Sequence, residues 1–220
     1  MPDLIPSHIA IEGVIGVGKT SLARLLADRL DARLILEEAE SNPFLTDFYR
    51  DRERFAFPTQ MFFLLSRYQQ QQSLRERDLF VKRVITDYIF DKDALFATIT
   101  LSGRELGLYN KVAELLRRDV PHADLIIYLQ AETNTLIERI RNRGREMEKV
   151  IDEDYIDELN EAYNSYFFHY NEAPLLVVKT DAVDFLHNDS HLKDLIEQIK
   201  KPRGRTTYYS PAGELNGGVF

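Results

Sequence analysis

At 220 residues, 44% of them hydrophobic, the chain is long enough to bury a full core and is expected to form one α/β domain. Its 28 lysines and arginines stand against 36 acidic residues, a formal net charge of −8, which speaks against a general nucleic-acid binder while leaving room for a local basic cleft. The absence of cysteine excludes disulfides, thiolate metal sites and a cysteine nucleophile.

Met1-Pro2-Asp3 has no basic start of the kind a signal peptide carries, and no apolar run is long enough to span a membrane, so a soluble cytoplasmic protein without a membrane partner is expected. His8 to Glu12 reads as a short buried strand, and Ser21 to Leu30 places apolar residues at helical spacing. Between them runs Gly13-Val14-Ile15-Gly16-Val17-Gly18-Lys19-Thr20, a glycine, four residues, then Gly-Lys-Thr. Strand, glycine loop and helix together make a phosphate cradle: the backbone turns its N–H groups inward and the helix N-terminus adds partial positive charge. Lys19 can reach the outer phosphates of a nucleoside triphosphate, and Thr20 can offer its hydroxyl to magnesium.

Arg33 to Leu36 is a second buried strand ending in Glu37-Glu38. Parallel sheets place their chemistry at the carboxyl ends of strands, so a carboxylate here is either a general base or a surface charge. Asn42-Pro43 opens a short helix through Tyr49, and Phe55 to Gln60 leads into a long one. Gln60 and Arg67, seven residues apart, share a face of that helix and could read a base edge, or could be surface groups. The polar run Gln69 to Gln72 reads as a solvated face.

Phe80 to Thr86 is a third strand, and Asp87 at its end is placed to partner magnesium together with Thr20. Helices are expected around Ala94 to Leu101 and from Leu106 to Arg118, and a fourth strand over Leu125 to Leu129. The next helix ends in Arg139, Arg141, Arg143 and Arg145, which at a spacing of two cannot share one side; a helix end passing into a loop that covers an anion is expected. Asp154 to Tyr170 is an aromatic-rich helix whose rings are core or subunit contacts. Leu175 to Val178 is a fifth strand, Lys179 to Phe185 a loop, Leu192 to Lys200 the last helix, and 201–220 an extended tail.

Taken in order, these segments resemble the deoxyribonucleoside kinases, most closely the bacterial deoxyadenosine/deoxyguanosine kinase branch. The resemblance runs to about Phe185 and rests on Gly13 to Thr20; Glu37 with Asn42-Pro43-Phe44-Leu45; Tyr49; Phe57-Pro58-Thr59-Gln60; Leu65-Ser66-Arg67; Phe96-Ala97; and Arg139-x-x-x-Arg143-Gly144-Arg145-x-x-Glu148. It implies a three-layer P-loop kinase fold in residues 1–200: a five-stranded parallel sheet of order 2-3-1-4-5 between helices, with an arginine-rich lid at about 139–150. It implies ATP-dependent phosphorylation of a deoxynucleoside 5′-hydroxyl, the purines favoured, with Mg²⁺ and commonly as a homodimer. Glu37 would take the hydroxyl proton, and Tyr49 and Glu148 would hold the 3′-hydroxyl. Gln60 and Arg67 would face the base edge, with Phe96 stacked on it and Asp87 on the substrate and metal side. Lys19, Arg139, Arg143 and Arg145 would act on the phosphates. Gly13, Ile15, Gly16, Val17, Gly18, Thr20 and Ser21 would cradle ATP, and Asp181 to Phe185, with Asp181, Val183 and Phe185, would cup its adenine.

The chain also departs from the pattern. Many relatives follow the acidic residue of the third strand with Arg and Ser; here the run is Thr86-Asp87-Tyr88, so that charge is expected from the lid or nowhere. Relatives commonly place an aspartate beside the base further on, where this chain has Lys92 flanked by Asp91 and Asp93. A thymidylate kinase would need an arginine after Asp87 to grip a monophosphate. A GTP-driven switch would need an Asp-x-x-Gly, which occurs nowhere, although Val178-Lys179-Thr180-Asp181 loosely mimics a guanine-reading motif.

Overall fold

The computed structural model describes residues 5–72, 82–201 and 204–210. Strands β1 (His8–Glu12), β2 (Arg33–Ile35), β3 (Val84–Thr86), β4 (Leu125–Gln130), β5 (Leu175–Lys179) and β6 (Thr206–Tyr209) form one sheet of order β2-β3-β1-β4-β5-β6. Every pairing is parallel. Both faces of such a sheet are covered by crossover helices, which is why β1, β4 and β5 are near-continuous apolar runs.

The expected order 2-3-1-4-5 is extended by a sixth strand. Thr206–Tyr209, placed in the extended tail, pairs with β5 from Leu175↔Thr206 to Val178↔Tyr209. Two threonines and two tyrosines suit a pleated surface, and alternate residues of the strand turn toward the core. Residues 202–203 and 211–220 of the tail lie outside the described residues, as do Phe80 and Val81 of the expected third strand.

The helices are α1 (Lys19–Leu30), α2 (Leu45–Arg50), α3 (Arg52–Gln72), α4 (Lys92–Thr100), α5 (Gly103–Arg117), α6 (Thr133–Arg143), α7 (Glu153–His169) and α8 (Asp189–Lys200). α4 starts two residues before the expected Ala94, and this brings Lys92 into the helix. One apolar cluster surrounds the sheet; a second, built on Leu45, Phe48, Leu64, Phe90, Tyr109 and Tyr155, joins α2, α3, α4, α5 and α7 on one side of it. The rings of α7 split between fates: Tyr155, Tyr163 and Phe167 are buried, Phe167 stacking on Tyr128 with centroids 4.3 Å apart, whereas Phe168 is exposed. In the glutamine run, Gln71 is not solvated but buried, on the side of α3 that faces Tyr88.

From the central strand β1 the chain runs to one side for β2 and β3 and to the other for β4 and β5. The carboxyl ends of parallel strands at such a reversal are where ligands bind. Here those ends carry the glycine loop, Glu37 and Asp87. Among the described residues, no helix is long and apolar enough to cross a membrane.

Candidate active site

The loop after β1 takes its shape from its glycines. Gly16 has φ +88°, and a Cβ there would lie 2.8 Å from both the Leu136 carbonyl oxygen and Ile140 Cγ1, so α6 can approach only a bare backbone. Gly18, at φ +106°, precedes the first residue of α1 and has no side chain to cap it. The free N–H groups of that first turn are directed toward the cavity below. Lys19 Nζ donates to the Gly13 and Val14 carbonyls at 2.7 and 3.1 Å.

Underneath lies Glu12, fully buried. Its carboxylate accepts from Gly13 N at 2.9 Å and from Ile89 N at 3.0 Å, fastening the loop to the turn that follows β3. Burial pushes its pKa up, against the pull of Lys92 and Lys19. Asp87 makes a second cross-link: Oδ2 accepts from Thr20 Oγ1 at 2.6 Å and Oδ1 from Glu37 N at 2.7 Å. One carboxylate thus ties the start of α1 to the backbone of the proposed base.

A cavity of about 520 Å³ opens in front of these groups. On its phosphate wall stand Ile15, Gly16, Gly18, Lys19, Thr20 and Ser21; opposite are Tyr49, Gln60, Arg67 and Phe96; Glu37 and Asp87 lie between, and Arg143, Arg145 and Glu148 close one end. Residues assigned from widely separated segments of the chain therefore line one space. Gly13 and Val17 belong to the loop beneath it. Arg139 takes a different place from the lid: its guanidinium donates to Val17 O at 3.3 Å, Thr180 Oγ1 at 3.1 Å and Thr180 O at 2.6 Å, bracing the glycine loop against the end of β5. Asp181 faces away from the cavity, accepting from Glu132 N and Thr135 Oγ1. Val183 closes a turn onto Thr180 O, and Phe185 packs against the sheet core. The lid arginines are held by Glu148, which accepts from Arg143 Nε at 3.1 Å and Nη2 at 2.6 Å, with Arg145 at 3.7 Å.

Glu37 is gripped from both sides. Arg67 donates to Oε1 through Nε at 2.9 Å and through Nη2, and Lys92 Nζ donates to Oε2 at 2.6 Å. Arg67 also pairs through Nη1 with Asp93, itself buried. Burial raises the Glu37 pKa, but Arg67 and Lys92 outweigh it and hold the carboxyl well below the usual carboxylate range. Gln60 is buried; its Nε2 reaches Thr100 Oγ1 at 3.3 Å, and its Oε1 has no hydrogen-bond partner among the described residues. A buried acceptor left unpaired on a cavity wall suits a ligand N–H.

Sequence reasoning did not find Lys92 and Asp93 as partners of Glu37 and Arg67, nor Glu12 as a clamp. One signal was available: Phe96 follows Lys92 by one helical turn, so if Phe96 faces the cavity Lys92 must as well. Where relatives follow the acidic residue with arginine stands the buried Tyr88, and the lid's Arg143 and Arg145 are paired with Glu148.

Burial first, and then the like charge of Lys92, lower the Lys19 pKa to about 8, against Glu12, Glu37 and Asp87. The ammonium form pairs with phosphate, so ATP affinity should hold below about pH 8 and weaken as the pH rises through it, with a proton taken up on binding above that point. Titration calorimetry in two buffers of different ionisation enthalpy checks both; affinity flat from pH 7 to about 9.5 would contradict the shifted lysine.

Over residues 9–202 the chain matches the model of the family described as deoxynucleoside kinase. It is 38% identical over 200 residues to a deoxyguanosine kinase of Bacillus subtilis (strain 168), an overlap covering 88% of this chain and 96% of that protein. A deoxyadenosine/deoxycytidine kinase of the same organism is 31% identical over 201 residues, covering 88% and 91%. Among solved structures, deoxyadenosine kinase from M. mycoides with products dCMP and a flexible dCDP bound gives a TM-score of 0.74 at 25% identity, covering 87% of this chain and 98% of that one. The family match spans the glycine loop, both walls of the cavity and the lid, so the chain belongs to the deoxynucleoside kinase family and is a phosphotransferase.

Proposed function

We propose that this kinase transfers the γ-phosphoryl group of ATP to the 5′-hydroxyl of a purine deoxynucleoside, giving the monophosphate and ADP. The observation that carries the reading is that Glu37 lies between a phosphate cradle and a wall of Gln60, Arg67 and Phe96, in a cavity of about 520 Å³. That volume falls within the usual range for a small-molecule site, roughly 300 to 1,000 Å³.

Glu37 accepts the hydroxyl proton as the oxygen attacks phosphorus and ADP departs. Lys19 draws charge onto itself from the outer phosphates, and Arg143 and Arg145 neutralise the transferring group from the lid. Tyr49 and Glu148 receive the 3′-hydroxyl, Phe96 stacks on the base, and Gln60 and Arg67 meet its edge. Arg139 holds the glycine loop against Thr180, beside the Asp181 to Phe185 segment that would take the adenine of ATP. The hydroxyl of Thr20 and the carboxylate of Asp87 are hard oxygen donors 2.6 Å apart, a set that fits Mg²⁺. Bound there with the triphosphate, magnesium would supply charge neutralisation of the phosphate oxygens.

Its substrates would be small molecules and not nucleic acid, in keeping with the net charge of −8, and it would act in the cytoplasm, where ATP is abundant. Residues 1–200 would act as one kinase domain with its lid at about 139–150 and the tail beyond it. Exposed Leu108 and Leu115, two turns apart on α5, with Leu65 on α3, would form part of a homodimer contact. The test is a product panel: ATP with each of the four deoxynucleosides and with thymidine monophosphate. Deoxyguanosine or deoxyadenosine should show the highest kcat/KM and thymidine monophosphate no transfer; phosphorylation of the monophosphate alone would overturn the reading.

A further inference from the structure

Lys92 violates two local rules. It is the first residue of α4, where the helix dipole disfavours a cation, and it is 4% exposed, where an ammonium loses its hydration. Residues that break local rules without evident need mark functional positions more often than structural ones. Lys92 is also carefully placed. Glu12 accepts from Ile89 N at 3.0 Å, and Lys92 N in turn donates to Ile89 O at 3.3 Å, so the end of β1 sets where α4 begins.

The two cations on Glu37 are not equivalent. Arg67 divides itself between Glu37 and Asp93, with Phe63 under its guanidinium at 4.9 Å, and it faces the space where a base would lie. A base edge that takes hydrogen bonds from Arg67 competes directly with Glu37 for the same N–H groups. Lys92 lines the same cavity, with the Phe96 ring 5.7 Å from its ammonium, but it is not split between two carboxylates: its ammonium bonds Oε2 at 2.6 Å, the other carboxylate oxygen from the one Arg67 holds. The next residue after Asp87, the buried Tyr88, carries no positive charge that could do the same.

We infer that Lys92 is the positioning residue of this kinase: it holds Glu37 by Oε2 and aims Oε1 at the sugar 5′-hydroxyl once the nucleoside has drawn Arg67 away. The inference rests on Glu37 being the proton acceptor of the reaction proposed above. Lys92 touches neither reacting atom and acts through the carboxylate alone. Its loss should therefore lower kcat far more than it changes KM for the nucleoside, and should matter only while Glu37 is a carboxylate.

The experiment is a double-mutant cycle of the full chain with ATP and its best deoxynucleoside. Lys92→Met should reduce kcat by roughly 10- to 100-fold, the scale of a misplaced reacting group, with KM for the nucleoside changed less than about threefold. Lys92→Arg, which restores a cation, should recover most of that loss. In a Glu37→Gln background, Lys92→Met should add less than about a twofold further loss. Should Lys92→Met not fold, Lys92→Gln, which keeps a donor but not the charge, replaces it in the same cycle. A Lys92→Met variant with the parent kcat overturns the inference, as do losses that multiply across the cycle. A parent chain that phosphorylates none of the four deoxynucleosides overturns the proposed function and this inference with it, an outcome readily told apart from an active parent indifferent to Lys92.

Discussion

Glu37→Gln should lower turnover by roughly 10²- to 10⁴-fold while leaving ATP affinity nearly unchanged, the loss expected when a proton acceptor is replaced by its amide. The substitution keeps the side chain's shape, and the amide oxygen can still accept from Arg67, so the cavity retains its outline. What disappears is the charge that pulls on the hydroxyl proton. A carboxylate that keeps Lys92 on Oε2 is a weak base, which suits phosphoryl transfer, where the bond to the leaving oxygen is largely broken before the nucleophile must lose its proton. Stopped-flow binding of a fluorescent ATP analogue beside steady-state turnover separates the two effects; a variant that turns over at the parent rate removes Glu37 from the chemistry. The stability side has a definite sign. The folded-state pKa of Glu37 lies below its ordinary value of 4.5, so the pairing contributes above that pH and is lost as the pH falls toward the folded value.

Arg67→Ala should destabilise the fold by about 3–5 kcal/mol, because it leaves a buried carboxylate without its counter-charge. Lys92 still neutralises Glu37 in that variant, but Asp93, 1% exposed, faces the deleted guanidinium directly. For a chain of this size, each kcal/mol lowers the melting temperature by roughly 2–4 °C, so a drop of about 6–20 °C is expected in thermal unfolding. A change under about 2 °C would mean that water reaches Asp93. The double variant Arg67→Met/Asp93→Leu removes both charges and should recover much of the stability without recovering activity. That separation distinguishes holding the fold together from reading the nucleoside.

Local features of this chain were legible because their causes are local. The glycine loop announces itself by composition and by the strand and helix that flank it, and β1, β4 and β5 are apolar enough to read as buried. Glu37 and Asp87 could be placed on one cavity from the sequence because both follow strands of a parallel sheet, at whose carboxyl ends ligands collect. Pairings across long stretches of chain were not legible. Arg67 meets Glu37 across thirty positions and Lys92 meets it across fifty-five, and no periodicity encodes such contacts. β6 was missed because four residues after a Pro-Arg-Gly-Arg stretch are too few to show alternation. Arg139 was grouped with its neighbours in a basic run, yet one helical turn before Arg143 its side chain faces the glycine loop instead of the cavity.

Glu12 gives the phosphate loop and the α4 turn a common anchor, since Gly13 N and Ile89 N meet on its one carboxylate. On the proposed assignment, the grip on the triphosphate and the aim of the sugar-side carboxylate would be measured from a single reference point, like two instruments mounted on one rail. In the proposed reaction, a displacement of Glu12 would therefore carry the phosphate loop and the start of α4 together.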